Sequence, residues 1–444
     1  MRFDTKMGGE IIHLAAPVIV GMISHTVLNL VDTAMVGRLG DTAIAAVGLG
    51  SFFSFVLVMV FGSLGIGTQA ITSRRLGEKR IDEFGRIIHN AFLLAFAIGM
   101  VVSLAGYPAS HWIFSRLSGE PSIIRVGTPY LQIRMLGVFA MVVIFTMRGF
   151  VYGIARPRID MVVSVMINML NIVLNYILIF GHWGFPRLEV RGAAIASVVS
   201  TVIGLFVYAV FVERGILRNL PRRPRRGEIS GGLMAQIIRI SAPRAFQSVS
   251  IVGFVIFLSL IGRIGVRELA ISTIIHKAFN LSFMLGLGVG TASATLVGRS
   301  LGERNERRAV RYGWHSVGIG SIMMGVIGML FMFFPREIMG LFSTQPGTIE
   351  RGVLPFRLLG AFQLLDGVGI VLSRTLQGVG STLYVMVSEM ICIWCILIPY
   401  TYFAIEVLDG GIVSAWWGLF IYIAAFSAAM TWKFREGGWM HVRI

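Results

Sequence analysis

Charge is what this sequence has least of. Only 14% of its 444 residues are Asp, Glu, Lys or Arg, where a soluble domain carries about a quarter, so an ordinary water-facing surface is excluded. Cysteine is nearly absent. The two present, Cys392 and Cys395 in CIWC, sit inside an apolar run; one such pair cannot build a disulfide scaffold and is weak support for a metal or redox centre, so packing is the adopted reading. An intramembrane enzyme would need a motif such as H-E-x-x-H or G-x-S-x-G; the sequence is read as holding neither, so no enzyme is expected. A channel would need a re-entrant filter or a ring of charges, and none is evident. Alternating strands of about ten residues, the mark of a membrane barrel, are missing too.

What fills the chain instead is apolar length. Hydrophobic residues make up 55%, gathered in twelve runs at 11–36, 43–72, 87–107, 126–152, 159–182, 192–212, 233–261, 268–297, 312–334, 352–378, 382–405 and 412–432. Each can cross a hydrocarbon core about 30 Å thick. Lipid offers the backbone no hydrogen-bond partners, so each run is expected to be a helix and the chain an all-α polytopic membrane protein. The first run is too long for a signal-peptide core and holds His25, Asn29 and Asp32; it is expected to stay as a mature helix, with no transit segment before it.

The 39 basic residues outnumber the 22 acidic ones, giving a net charge of +17, which suggests nucleic acid until their places are considered. They fall in alternate loops rather than on one face: Arg74, Arg75, Lys79, Arg80 and Arg86 after the second run, Arg156 and Arg158 after the fourth, Arg299, Arg304, Arg307, Arg308 and Arg311 after the eighth. The same side receives Arg2, Lys6, Lys433, Arg435 and the segment RGILRNLPRRPRRGE. The positive-inside rule then places both termini in the cytoplasm of a cell (inner) membrane protein. The loop arginines meet lipid headgroups, and no nucleic-acid partner is expected.

An internal repeat divides the chain. VGRLGDTAIA from Val36 is echoed by IGRIGVRELA from Ile261, and LGIGTQAITSRRLGEKR from Leu64 by LGVGTASATLVGRSLGERN from Leu287. Pro17 and Pro243, like Arg148 and Arg374, stand 226 residues apart. The expected organisation is an N-terminal six-helix lobe at 1–216, a basic cytoplasmic linker at 217–232 and a C-terminal six-helix lobe at 233–444. With an even number of spans each, the pseudo-symmetric lobes insert the same way up, an architecture of secondary transporters with a site near the midplane. GLGVG at Gly286 resembles a dinucleotide loop, but no strand precedes it; small residues that let membrane helices approach closely explain it better.

Polar residues within the runs are the functional candidates. His25, Asn29 and Asp32 share one helical stripe, and an ionisable residue inside a membrane span is a functional candidate by default, although an interfacial Asp capping the helix end would look the same. Pro17 can bend that helix. Asn168, Asn171 and Asn175 form a second stripe in NMLNIVLNY, whose amide oxygens suit a hard cation beside a carboxylate or else interhelical glue. In the second half Lys277, Asp366 and Glu389 are embedded, and a buried Lys calls for Asp366 or Glu389 as partner. Arg148 and Arg374 read as snorkelling anchors.

Taken in order, LAAPVIVGMISHTVLNLVDTAMVGRLGDTAIAAVGLG, NIVLNYILIFG followed by RGAAIAS, the paired Gly-rich segments and DGVGIVLSRTLQGVGST resemble the multidrug and toxic compound extrusion family of cation-coupled antiporters. The resemblance covers nearly the whole chain. It implies two six-helix lobes and export of amphipathic, often cationic, organic compounds against inward protons or sodium, by a monomer without cofactor. In the branch of the family typified by DNA-damage-inducible members, it implies that Asp32 is the coupling carboxylate, with Asn171 and Ser197 in the same site, Pro17 at the bend and no metal beyond sodium at Asp32. Asn175 stands where that branch has a second acid, which favours protons over sodium. Asp366 resembles an aspartate used in the second lobe of another branch, with Gln247 near the place of its missing glutamate partner; Lys277 stands where many members have Gln. The rival reading is a flippase or exporter for an anionic lipid-linked or metabolite substrate, which Lys277 would suit.

Overall fold

The computed structural model describes residues 4–219 and 229–442, so most of the basic linker lies outside them. Among the described residues there is no strand, and twelve helical spans are long and apolar enough to cross a membrane. They are α1 Thr5–Gly37, α2 Asp41–Gly77, α3 Ile81–Leu117, α4 Pro121–Gly153, α5 Pro157–Phe180, α6 Glu189–Gly215, α7 Gly231–Ile264, α8 Val266–Gly302, α9 Glu306–Phe333, α10 Pro346–Gly378, α11 Thr382–Val407 and α12 Ile412–Glu436. Number and order match the twelve apolar runs; the helices overshoot several of them because local chemistry at their ends carries the helix past the apolar stretch. Pro121, Pro157 and Pro346 open α4, α5 and α10, where a missing N–H costs nothing. The Asn305 side chain accepts from Arg308 N at 3.0 Å and caps α9. The left-handed Gly181, at φ 77°, ends α5.

Not every span is one continuous helix. α2 turns at Gly62 and Ser63, and α7 at Ser248 and Val249. Two π-helical stretches, Cys392–Leu397 and Phe403–Val407, interrupt α11. Both thiols of CIWC are free, Cys392 buried and Cys395 exposed. Contrary to the reading that no G-x-S-x-G is present, GRSLG at Gly298 to Gly302 spells one, but it forms the last turn of α8, and its buried Ser300 hydroxyl donates to Leu296 O at 2.8 Å. It lacks the strand and the exposure a nucleophile requires.

The chain forms two compact units, and these are not cut at the linker. One unit holds Val20–Ala245; the other holds Met1–Ile19 together with Phe246–Ile444. Both cuts fall just past a helix-internal proline, Pro17 in α1 and Pro243 in α7, where the hydrogen-bond ladder is already broken. The opening part of each half's first helix therefore packs with the other half's sequence. In one unit Gly67 N, in the Gly-rich end of α2, donates to Ser241 Oγ of α7 at 3.3 Å. In the other, Gly288 of α8 lies so close to α1 that a Cβ there would meet Ile19 at 2.4 Å. The paired Gly-rich segments are thus landing sites for the exchanged helix ends, which composition alone did not indicate.

Close backbone approach also fixes α2 against α4. A Cβ on Gly149 would stand 1.9 Å from Gly65 O, so no side chain fits without moving a helix. Gly149→Val is expected to lower stability by about 1–3 kcal/mol or more through overpacking. Thermal unfolding in detergent, followed by loss of the monodisperse peak, checks it; an unchanged midpoint would mean the α2–α4 contact is not this tight.

Candidate functional site

The buried polar groups of the first unit converge on α5. Asp160, Ser164, Asn168, Asn171 and Asn175 are all less than 9% exposed, and their spacing of three and four residues places them on one face of the helix. At about 1.5 Å rise per residue the stripe runs for roughly 22 Å. Such a stripe survives in an apolar helix only because three neighbours supply partners to it.

At one end the Asn175 amide donates to Asp32 Oδ1 of α1 at 2.5 Å and lies 2.9 Å from Asn171 Oδ1. Asn171 in turn donates to Ser197 Oγ and Ser200 Oγ of α6, both at 3.3 Å. Turned over, the Asn171 amide puts its nitrogen 3.2 Å from Asp32 Oδ1 and its oxygen 3.1 Å from Ser197 N; amide orientation is assigned from such networks. Midway, Asn168 donates to Ser24 Oγ at 2.8 Å and lies beside His25. At the far end Arg148 Nε of α4 donates to Asp160 Oδ1 at 2.8 Å, its other arm reaches Ser164 Oγ at 3.3 Å, and the Tyr152 hydroxyl donates to Asp160 Oδ2 at 2.5 Å.

The structure thus gathers Asp32, Asn171, Asn175 and Ser197 into one hydrogen-bonded cluster. Asn29 is exposed and its side chain does not join that cluster. Arg148 is no snorkelling anchor: it is ion-paired to the buried Asp160, because Asp160 one turn past Pro157 offers a nearer partner than headgroups. Sequence reasoning also passed over Arg134, in the middle of α4. Its charge acts on both Asp32 and His25, its Nε is buried without a partner, and it lines a small pocket with Ser54, Ser197 and Thr201. The available signal was a lone arginine well inside an apolar run.

In the second unit Gln247 is bonded to Glu389 and accepts from Gln377 Nε2 at 2.8 Å. Asp366 is buried with Oδ2 unpartnered, and three residues before it Gln363 has a buried, unpartnered Nε2. Lys277 pairs with neither Asp366 nor Glu389. It lies on the exposed face of α8. Among the described residues no group of three His, Cys, Asp or Glu side chains is placed to hold a metal.

The two halves are not chemically equivalent. Counting 226 residues on, Asn171 falls at Leu397 and Asn175 at Thr401, and Leu397 belongs to an apolar core with Phe257, Phe356, Trp416 and Phe420. At these two positions the first unit has buried amides where the second has an apolar side chain and a hydroxyl.

A family profile described as MatE matches the chain twice, over residues 17–177 and 243–403, so the repeat is two copies of one family unit. The chain is 28% identical over 442 residues to a Thermotoga maritima protein named probable multidrug resistance protein NorM, with 97% of this chain and 92% of that one covered. Among solved structures, a MOP superfamily transporter from Pyrococcus furiosus superposes with a TM-score of 0.88 at 22% identity, covering 98% of this chain and 97% of that one. A multidrug resistance MATE family transporter in an outward-facing conformation does so with a TM-score of 0.88 at 21% identity and the same coverage. The double match over most of the chain, with a fold shared from end to end, has one consequence: this multi-pass membrane protein belongs to the MatE family, the multidrug and toxic compound extrusion transporters, and is a transporter rather than an enzyme.

Proposed function

We propose that this protein is a proton-coupled antiporter that exports amphipathic organic compounds by alternating access, with Asp32 as the coupling group. The observation that carries the reading is the Asp32 carboxylate, half-buried in a membrane helix and held by the amides of α5. A bare charge there is costly, so a proton and a cationic substrate compete for it. When the proton is on Asp32, the hold of Asn175 on a charged oxygen weakens, α1 bends at Pro17 and substrate is released outward; loss of the proton to the cytoplasm restores the starting state. Asn171 and Ser197 position Asn175, and the Gln247–Glu389 pair and Asp366 serve a second proton in the C-terminal lobe. The protein works as a monomer in the cell's inner membrane, both termini cytoplasmic, with no cofactor.

Proton rather than sodium is the coupling ion because the cluster holds one carboxylate, whereas a sodium site draws on several hard oxygen ligands. In proteoliposomes, a proton gradient is expected to drive uptake of a fluorescent cationic dye and a sodium gradient to have no effect. Asn175→Asp, which adds a second carboxylate 2.5 Å from the first, is expected to confer a sodium response. Sodium-driven uptake by the unmodified protein would overturn the assignment; absence of dye movement under either gradient would favour the flippase reading.

A further inference from the structure

We infer that His315 is a pH-sensitive latch that holds the start of α1 and lets it go when the solution on that face turns acidic. Its counterpart in the other half of the repeat shows what is special about it. In one unit Ser230 N, at the start of α7, donates to Asn90 Oδ1 of α3 at 2.8 Å, and Asn90 Nδ2 donates one turn back to Arg86 O at 2.8 Å. In the other, Asp4 N, at the start of α1, donates to His315 Nε2 of α9 at 3.0 Å, and His315 Nδ1 lies 2.8 Å from Arg311 O, again one turn back. Ser230 follows Asp4 by 226 residues, while His315 and Arg311 follow Asn90 and Arg86 by 225. The same contact is therefore made twice, once by an amide and once by an imidazole.

That difference in chemistry makes one latch blind to pH and the other responsive. An amide keeps its donor and its acceptor at every pH. A neutral imidazole offers the same pair, with the proton on Nδ1 toward Arg311 O and the bare Nε2 toward Asp4 N, a tautomer assigned from those two partners. An imidazolium carries a proton on both nitrogens; it keeps the bond to Arg311 O but sets two N–H groups against each other at Asp4. His315 is buried, where an unsatisfied donor is costly. Histidine is the side chain that changes charge between about pH 5 and 8, so the hold on Asp4 belongs to the alkaline side of the titration and is lost on the acid side.

The surrounding charges do not replace the lost bond. Asp4 is already engaged: Oδ1 accepts from Lys6 N and Met7 N at 3.1 and 3.4 Å, and Oδ2 from Arg311 at 3.0 Å. The Met7 N–H above all holds its carboxyl below the usual range, so Asp4 stays ionised while a histidine titrates. Glu10 of α1 is bonded to Tyr312, and Glu303 at the end of α8 to Arg299 and Arg308. Arg374 of α10 and Arg435 of α12 add only positive charge. The other histidines near this end, His13 of α1 and His441, are exposed. α1 passes from one unit to the other just beyond Pro17, so the latch holds the short arm of the helix whose long arm carries Asp32. Its release slows export as protons accumulate on this face, a brake on an exporter that brings protons in. That consequence rests on the proposed role of Asp32 and the proposed orientation; the latch does not.

Hydrogen exchange of the intact protein in lipid nanodiscs, with no gradient or substrate present and corrected for the intrinsic change of rate with pH, reads the latch directly. Between about pH 7.5 and about pH 5.5, peptides covering Asp4 to Leu14 should lose protection by about threefold to tenfold, as expected for one hydrogen bond. Peptides at the start of α7, held by Asn90, should not change. His315→Gln, which keeps an acceptor and does not titrate, should stay protected at both pH values, and Asn90→His should transfer the pH dependence to α7. Equal protection of α1 at both pH values in the unmodified protein, or a pH-dependent loss that persists in His315→Gln, overturns the inference. If His315→Gln is unprotected at both, Asn90→His decides: a pH dependence gained at α7 upholds the latch and its absence overturns it. Because no transport enters the measurement, its failure is separable from failure of the coupling reading, which would appear as dye accumulation that survives Asp32→Asn.

Discussion

Asp32→Asn is expected to abolish gradient-driven dye accumulation while leaving the protein folded. Asparagine keeps the outline of the side chain and an oxygen for Asn175 to donate to, so the hydrogen-bonded cluster survives and the unfolding midpoint should stay nearly where it was. What it cannot do is gain and lose a proton. The variant is fixed in the equivalent of the protonated state, and a transporter with one state of its coupling group has nothing with which to convert a gradient into work. The magnitude is set by the gradient itself. One proton exchanged for one monovalent cation moves no net charge, so each pH unit supplies about 1.4 kcal/mol, a tenfold accumulation. At an imposed difference of one unit the unmodified protein should therefore approach tenfold accumulation and Asp32→Asn should remain at one. If accumulation exceeds that limit and rises with membrane potential, a second proton is coupled, worth about 2.3 kcal/mol per 100 mV; Asp366→Asn should then return the ratio to the single-proton value. If Asp32→Asn still accumulates dye to the same level, Asp32 is a structural residue.

How far the sequence foretold this varied with the range of the interaction. The spans were legible because membrane crossing needs about 20 apolar residues in a row, a local property. Asp32, Asn171, Asn175 and Ser197 were recognisable because each is a polar residue where polarity is costly, and their family resemblance supplied the grouping that spacing on separate helices cannot. Arg134 escaped attention although it stands alone inside an apolar run, because spacing on separate helices does not say which polar group it acts on; only the fold brings its charge to bear on Asp32. Asp160 escaped for a similar reason. An acid in the first turn after Pro157 looks like an ordinary response to the helix dipole, and its burial against α4 is a tertiary fact. The exchange of helix ends was hidden because composition marks the basic linker, whereas packing follows the prolines at 17 and 243.

The Arg148–Asp160 pair leads to the other large effect. Asp160 is 2% exposed and receives the Arg148 guanidinium and the Tyr152 hydroxyl, with the Tyr208 hydroxyl of α6 at 3.5 Å; α4, α5 and α6 all meet at one carboxylate. Removing one member of a buried ion pair costs about 3–5 kcal/mol, because the survivor is left charged in a low dielectric, whereas replacing both by apolar groups of similar size is often neutral. Here the survivors differ. The Arg148 side chain retains 27% exposure, so after Asp160→Leu its charge is partly relieved by solvent, and the loss should lie toward the lower end of that range. After Arg148→Met the carboxylate has two tyrosine hydroxyls near it but no countercharge, and the loss should be the larger of the two. The double variant Arg148→Met/Asp160→Leu removes both charges yet takes the Asp160 acceptor away from the Tyr152 and Tyr208 hydroxyls, where a buried group left unsatisfied costs about 1–3 kcal/mol. It should therefore recover much, but not all, of the stability lost by Arg148→Met alone. Unfolding midpoints of the three variants in one detergent test this as a double-mutant cycle. A coupling near zero would mean that the pair contributes by packing alone, and that charge is not what joins the three helices at this end of the seam.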